Sequence, residues 1–310
     1  RGRIDHLKRQ AGGCGLRAAR RILCPLIPLM KAGHMVLRSP RTQPLVILFA
    51  ALLFGLLPTA ASATWSVIAV DARTGRIVIA SATCVAQGRF ASFGEQGATG
   101  LMDIQAIVVP GIGVAAAQAG VDGSRQNQWM IYRQIQAGTD PAEIIEMLRA
   151  DPAIERRQFG IVDMRGRAAG FSGRGNGSAS LDIQSTVPQT SIHFSIQGNI
   201  LASDDVVRRA VAAFVSAGPS LADRVMAAME AADAAGGDSR CTCESAPVLD
   251  DVPCEGKTAH VAYITEALSS DPNGDSFNDG DYHMYLRATD EDITPQENAN
   301  PVKTLRMRYD

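Results

Sequence analysis

The sequence predicts an α+β fold in which antiparallel sheets are covered by helices. Runs of β-branched residues come in pairs joined by short glycine-bearing turns, which is typical of hairpins. The helical segments also come in pairs instead of alternating singly with strands, and single alternation would favour a parallel sheet. With 310 residues, the chain is long enough for one sizeable domain with an appendage.

The strand candidates lie mainly in the first half of the chain after residue 63. Residues 64–71 and 76–82 surround a turn that ends at Gly75, and they predict the first hairpin. Residues 158–163 and 168–172 predict a second hairpin. Further strands are predicted at 101–108, 113–117, 192–197, 259–264 and 282–287.

Two helix pairs are predicted between and after these strands. The clearest helix, over 140–149, begins with Asp140 as N-cap, Pro141 at the first helical position and Glu143 three residues after the cap. A second helix, the partner of 140–149 in the first pair, is predicted over residues 124–136. The second pair, 203–215 and 220–235, opens each time with a serine cap followed by acidic residues.

The first 63 residues differ in charge from the rest of the chain. They hold ten Lys and Arg against one acid, whereas the whole chain carries −2, which leaves a net charge of about −11 on residues 64–310. We interpret 1–34 as an upstream leader that is disordered or not part of the native protein. Residues 35–63 have a basic start, an apolar run over 45–57 and a small-residue site at Ala61, Ser62 and Ala63, which predicts a secretory signal peptide. An uncleaved N-terminal anchor is the alternative.

The signal-peptide pattern and the charge distribution indicate where the protein is located and which partners it binds. A secreted or periplasmic protein is expected, with no stable membrane anchor after signal cleavage. Binding to nucleic acid is not expected, because it requires clustered cations and the body of the chain is acidic. A homo-oligomer is compatible with the sequence.

Residues 64–245 are expected to form the core, and residues 246–310 either complete a sheet or form a small appendage. Four cysteines would remain after signal cleavage, and an oxidising compartment favours disulfides. We predict a bridge from Cys254 to Cys241 or Cys243, with Cys84 reduced and buried. The alternative is a zinc site formed by Cys241, Cys243, Cys254 and His260, although the C-x-C spacing departs from the usual pattern.

No cofactor or metal is expected from the remaining motifs. Residues 271–276 begin like a calcium loop, but Ser276 stands where the invariant glycine belongs and Tyr282 where the bidentate glutamate belongs. The glycines of 173–177 fit neither phosphate-binding spacing.

Five short segments occur in the order typical of one family. They are TWSVIAVD from Thr64 with Thr74 and Gly75, Gln118-Ala119, QFGIVD from Gln158, Gln197-Gly198-Asn199 with Leu201, and AGGDSR from Ala235. On these segments the chain resembles the domain of unknown function 1028 family, which is grouped with the N-terminal nucleophile (Ntn) hydrolases. The resemblance covers roughly residues 64–240. It implies a four-layer αββα sandwich of two antiparallel sheets flanked by helix pairs, with an amidohydrolase-like site at the start of the first strand.

Signal cleavage after Ala63 would make Thr64 the first residue of the mature chain. A free α-amine, with a pKa near ~8, can take the proton of the threonine hydroxyl, whereas an amide nitrogen cannot. We therefore predict Thr64 as the nucleophile. Asn199 and Gln118 are candidate donors to the oxyanion, or alternatively side chains that satisfy local backbone groups.

Asp238 and Arg240 are the candidate substrate-binding residues. Their spacing places both side chains on one face of an extended segment, where they could orient the amine or bind a substrate carboxylate. The alternative is a structural ion pair. Together the residues predict a secreted Ntn-type hydrolase that cleaves an amide bond in a small molecule or peptide. A non-catalytic exported domain that binds a ligand or partner is the competing interpretation.

Overall fold

The computed structural model describes residues 64–310, so the predictions for the leader and the signal peptide lie outside the described residues. Over 64–310 the chain forms ten strands and six α-helices. The strands are β1 (Thr64–Asp71), β2 (Arg76–Thr83), β3 (Ala106–Val109), β4 (Gly113–Ala119), β5 (Arg157–Asp163), β6 (Ala168–Ser172), β7 (Leu181–Thr186), β8 (Ile192–Asn199), β9 (Val261–Ala267) and β10 (Met284–Thr289). The helices are α1 (Leu101–Gln105), α2 (Gln126–Ala137), α3 (Pro141–Leu148), α4 (Asp205–Ser216), α5 (Leu221–Ala234) and α6 (Pro301–Tyr309).

The strands form two antiparallel sheets, which confirms the predicted α+β class. The six-stranded sheet has the order β10-β9-β2-β1-β8-β7, and the four-stranded sheet has the order β3-β4-β5-β6. β1 lies in the middle of the larger sheet. Its first residue, Thr64, is aligned with Thr83 of β2 on one side and with Asn199 of β8 on the other.

The side chains of β1 alternate between two different cores. Trp65 and Val67 belong to a core shared with α4, α5 and α6, which cover one face of the larger sheet. Ile68 and Val70 belong to a second core, shared with β3, β4 and β5 of the smaller sheet. Because alternate residues of a strand share one face, Thr64 and Ser66 lie on the same side as Ile68 and face the smaller sheet.

The opposite face of the smaller sheet carries the first helix pair. Ala115 and Phe159 pack there against Ile131 of α2 and Ile144 of α3. Each sheet therefore has one helix-covered face. Burial of these apolar faces at roughly 25 cal/mol per Å² is the main stabilising contribution to the arrangement.

The helix boundaries follow the capping residues. Asp140 accepts a hydrogen bond from the amide of Ala142 at 2.9 Å, and Pro141 takes the first helical position. The Ser220 hydroxyl caps α5 by accepting from the amide of Asp223 at 3.2 Å. At α4 the cap differs by one residue from the prediction, since the helix begins after Asp204.

The prediction of a strand over 101–108 is wrong for its first half. Leu101–Gln105 forms α1, and β3 begins only at Ala106. Leu101 and Ile104 are three residues apart and are both buried in the core between the sheets, a spacing that suits a helix face. Two elements were not predicted: β7, a partly exposed edge strand with mixed polarity, and α6, which has a proline start like α3 but a mainly polar sequence.

The last part of the chain belongs to the larger sheet. β9 pairs with β2, and β10 pairs with β9. Within residues 64–310, no helix has both the length and the apolar character needed to cross a membrane.

Two disulfides are present, and they correct part of the cysteine prediction. Cys243 is joined to Cys254, as one of the two predicted pairings requires. The expectation that Cys84 is reduced is wrong, because Cys84 is joined to Cys241. The physical reason is tertiary: the carboxylate of Asp238 accepts a hydrogen bond from the Cys84 amide at 3.0 Å, which holds the segment before Cys241 against the end of β2. The three cysteines of the predicted zinc alternative, together with Cys84, are therefore all joined in disulfides.

Candidate functional site

Thr64 lies between the two sheets at the end of the larger sheet. Its side chain is buried, with 2% of the residue exposed, and its hydroxyl donates a hydrogen bond to the Thr83 hydroxyl at 3.2 Å. Asn199, fully buried, lies directly across from Thr64 on β8. The apolar surface of the larger sheet therefore gives way to a polar row where β1 begins.

Gln118 connects this row to the smaller sheet. Its Nε2 donates to the Thr64 carbonyl oxygen at 3.0 Å and to Gln158 Oε1 at 2.7 Å. Its Oε1 accepts from Ser66 Oγ at 2.7 Å and from Gln105 Nε2 at 2.9 Å. Because all donors and acceptors of this buried amide are used, its orientation is fixed.

The network continues on both sides of Gln118. Tyr263 on β9 donates to Gln105 Oε1 at 3.1 Å, and burial raises the pKa of Tyr263 well above its usual value, so it remains a donor. Gln158 Nε2 donates to the Gly198 carbonyl oxygen at 2.9 Å and to Ser172 Oγ at 2.6 Å. A satisfied, directional set of hydrogen bonds therefore links the start of β1 to both sheets.

Asp238 and Arg240 form an ion pair beside this end of the sheet. The Asp238 carboxylate is fully buried and accepts from Arg240 Nε at 3.0 Å and Nη2 at 2.7 Å. It also accepts from the Cys84 amide, next to Thr83. This pairing agrees with the structural alternative for the two residues, and the guanidinium, about one third exposed, is the part that faces outward.

Three buried ionisable groups, His260, Lys257 and Asp290, lie close together near the end of β2. The amide of His260 donates to the Thr83 carbonyl oxygen at 2.8 Å. Burial and the nearby Lys257 ammonium lower the pKa of His260 to about 4, so the imidazole is neutral at pH 7. Burial lowers the pKa of Lys257 and raises that of Asp290, and the opposite charges of these two groups partly offset the effect.

A small pocket opens beside Thr64. Its volume is about 10 Å³, room for roughly one water molecule. Apart from Thr64, Thr83 and the two glutamines of the network, its walls are apolar and are formed by Val85, Phe90, Leu101, Ile104, Ala117 and Val121. Any group that occupies it next to the Thr64 hydroxyl has to be small, and most of the residues around it are apolar.

The structure brings the predicted residues Thr64, Asn199 and Gln118 to one end of the sheets, and it places Asp238 and Arg240 next to that end through Cys84. Sequence reasoning missed several members of the network, among them Gln158, Gln105 and Tyr263. Gln158 had a usable signal, since it occupies the same end of the β4–β5 pair as Gln118. Gln105 had none, because its segment was assigned to a strand.

Comparisons with known proteins agree with this fold. Residues 64–252 match the family of unknown function DUF1028. The crystal structure of protein SPO2555 from Silicibacter pomeroyi, of the same family, is similar with a TM-score of 0.55 and 21% sequence identity, over 80% of this chain and 88% of that chain. An identity this low indicates a shared fold and nothing about activity. A search of curated proteins found no match.

The family match begins at Thr64, the first residue of β1, and covers more than half of the chain. It confirms the resemblance found in the sequence, and the chain therefore belongs to the DUF1028 family.

Proposed function

We propose that this protein is an exported Ntn-type hydrolase that cleaves an amide bond, with Thr64 as nucleophile once the chain begins at that residue. The observation that carries the proposal is the position of the Thr64 hydroxyl: it lies between the sheets, 3.2 Å from the Thr83 hydroxyl and across from Asn199, at the start of the central strand. The two sheets with their helix-covered outer faces are compatible with the αββα sandwich of that superfamily. The two disulfides are compatible with export.

In the proposed reaction, Thr64 Oγ1 attacks the carbonyl carbon of the amide while its proton passes to the α-amine of the same residue. The amine then gives that proton to the leaving nitrogen as the C–N bond breaks, which leaves an ester on Oγ1. Water hydrolyses the ester and restores the hydroxyl. The Gln118 amide, bound to the Thr64 carbonyl oxygen, keeps the residue in one orientation throughout.

Asn199 is the proposed donor to the oxyanion that forms during attack. It is buried and aligned with Thr64 on the neighbouring strand, so its position relative to the hydroxyl is set by the sheet. Removal of one such donor typically slows turnover by about 10²–10³. Gln118 is a positioning residue in this scheme, because its amide is already committed to the network.

Cleavage of the chain before Thr64 would create the base that the reaction needs. The peptide bond to residue 63 makes the Thr64 nitrogen an amide, so the free α-amine exists only after cleavage.

A matched pair of proteins tests the proposal. One begins at Thr64, and the other begins at Ala63 and differs by that single residue. Both are assayed against a panel of amides that carry small apolar acyl groups. We expect turnover only from the protein that begins at Thr64, loss of turnover in Thr64→Ala, and a rate about 10²–10³ lower in Asn199→Ala.

Equal turnover by the two proteins would place the base elsewhere and contradict the Ntn mechanism. Absence of turnover on the whole panel, with a ligand still bound at this end of the sheets, would favour the non-catalytic binding domain.

The pocket gives a separate prediction on substrate choice. Leu101→Ala removes part of its apolar wall without touching the hydrogen-bond network, so we expect the preference to shift toward amides with a longer acyl chain. A single methylene in an apolar pocket is worth about 1–3 kcal/mol, or roughly 10–200-fold in selectivity. The measurement is the ratio of kcat/KM for two acyl lengths, and an unchanged ratio would show that the acyl group lies elsewhere.

A further inference from the structure

Cys84, Cys241 and His260 form a compact cluster at the end of β2. The two sulfur atoms and a ring nitrogen of His260 all lie within 4.8 Å of one another. Two of its members are buried, since His260 is 2% and Cys241 7% exposed, whereas Cys84 is half-buried. Within residues 64–310 it is the one group of three or more potential ligand side chains with this proximity.

A second feature points to a ligand at the same place. Nδ1 of His260 and Oδ2 of Asp290 are buried, lie 3.5 Å apart, and have no hydrogen-bond partner among the described residues. Two unsatisfied buried polar atoms at one position are costly. Metal-binding histidines commonly donate the N–H of their other ring nitrogen to a carboxylate or a backbone carbonyl, and the hydrogen bond of His260 to the Ala246 backbone supplies this contact while Nδ1 has no hydrogen-bond partner within residues 64–310.

We propose that the reduced form of the Cys84–Cys241 pair, together with His260, binds a zinc ion, with water as the fourth ligand. A thiol reductant supplies two electrons to the disulfide, becomes a disulfide itself, and leaves two cysteine thiols. Zinc then displaces one proton from each thiol and is bound by two thiolates and a neutral imidazole. The disulfide and the zinc site are thus two alternative states of the same residues.

The chemistry of the cluster fits zinc. Thiolate and imidazole are the preferred ligands of zinc in proteins, with Zn–S near ~2.3 Å and Zn–N near ~2.0 Å. Tetrahedral ligands at those distances are about 3–4 Å apart, so the cluster needs only the opening of the S–S bond and small side-chain adjustments. A zinc ion with two thiolates carries no net charge, which suits a buried position that already holds the opposite charges of Lys257 and Asp290.

This ligand set differs from the one expected from the sequence alone. That set used Cys243 and Cys254, which are joined to each other in a separate disulfide. Cys84 comes from the end of β2, 157 residues before Cys241, so only the tertiary structure brings the two together. The proposal is independent of the hydrolase activity.

The test uses the full chain and zinc itself. Protein is kept oxidised or reduced anaerobically with a phosphine, which does not bind zinc as a thiol would, then mixed with Zn²⁺, desalted and analysed for bound metal. We expect about one zinc per chain in the reduced protein and none in the oxidised protein. Zinc should also protect Cys84 and Cys241, but not Cys243 and Cys254, from alkylation during peptide mapping.

Substitutions of the cysteines and of His260 test which residues bind the zinc ion. Cys84→Ser/Cys241→Ser should abolish zinc binding, whereas the matched control Cys243→Ser/Cys254→Ser should bind zinc as the wild type does. His260→Asn should weaken binding at least about tenfold. Absence of zinc in the reduced wild type, or binding that survives in Cys84→Ser/Cys241→Ser, would overturn the proposal. The comparison of oxidised with reduced wild type, combined with the alkylation pattern of the four cysteines, needs no substitution, so it decides the question even if a variant fails to fold.

Discussion

The two disulfides are predicted to differ in what they contribute to stability. Cys84–Cys241 closes a loop with a sequence separation of 157 residues, and Cys243–Cys254 closes one of 11 residues. The loops do not overlap, so the two contributions can be measured independently. Replacing both cysteines of one bridge by serine is the perturbation.

The expected magnitudes follow from the entropy that each bridge removes from the unfolded chain. With the loop-length relation, the long loop corresponds to roughly 17 cal/mol/K, or about 5 kcal/mol at 25 °C. The short loop corresponds to roughly 9 cal/mol/K, or about 3 kcal/mol. A loss of about 5 kcal/mol is a large part of the total stability of a typical domain, so the first variant is expected to be marginally folded.

The assay is urea denaturation followed by circular dichroism, with a chelator present so that metal binding does not contribute. Cys84→Ser/Cys241→Ser should lose about 2 kcal/mol more than Cys243→Ser/Cys254→Ser. If Cys84→Ser/Cys241→Ser is unfolded without denaturant while Cys243→Ser/Cys254→Ser is folded, the result also agrees with a larger loss for the long loop. Equal losses, or a larger loss for the short loop, would refute the reasoning.

Two further predictions concern the interface of the sheets and acid stability. Gly160→Ala should destabilise the fold by about 1–3 kcal/mol, because the added Cβ would lie 1.9 Å from Gln197 Oε1. The control Gly218→Ala has no atom within 4 Å of its added Cβ and should leave the Tm nearly unchanged. Equal effects of the two substitutions on the Tm would contradict this packing. Hydrogen bonds from Arg308 lower the pKa of Glu297 from 4.5 to about 2, so its stabilising contribution is complete above pH 4.5 and is lost as the pH falls through about 2. In denaturation measurements, the difference in unfolding free energy between wild type and Glu297→Gln should therefore be constant near neutral pH and shrink below pH 4.5. A difference that is unchanged at pH 3 would exclude the pairing of Glu297 with Arg308.

The first hairpin could be predicted from the sequence because its signals are local. Two runs rich in β-branched residues and a glycine with positive φ at Gly75 determine the β1–β2 pair within 20 residues. The N-cap and proline at Asp140 and Pro141 are equally local, and the helix begins where they predict. The C-terminal α6 has the same type of start at Asn300, but few apolar residues follow it.

Other features depend on contacts far apart in sequence. Residues 101–108 are apolar except for Asp103 and Gln105, and periodicity over so few residues does not distinguish a helix turn from a strand. The partner of Cys84 is decided by the Asp238 carboxylate, 154 residues away. For the candidate site, the positions of Thr64, Gln118 and Asn199 at strand ends could be predicted. The hydrogen bonds of Gln118 and Gln158 that link the two sheets there required the packing of the sheets.

The central claim is that the Thr64 hydroxyl becomes a nucleophile when its α-amine is free. The most direct measurement is covalent labelling with a β-lactone probe, located by peptide mass spectrometry, on protein that begins at Thr64 and on protein that begins at Ala63. We expect an ester adduct on Thr64 in the first protein and none in the second, because only the first has the base that accepts the hydroxyl proton. Labelling at another residue, or equal labelling of Thr64 in both proteins, would contradict it.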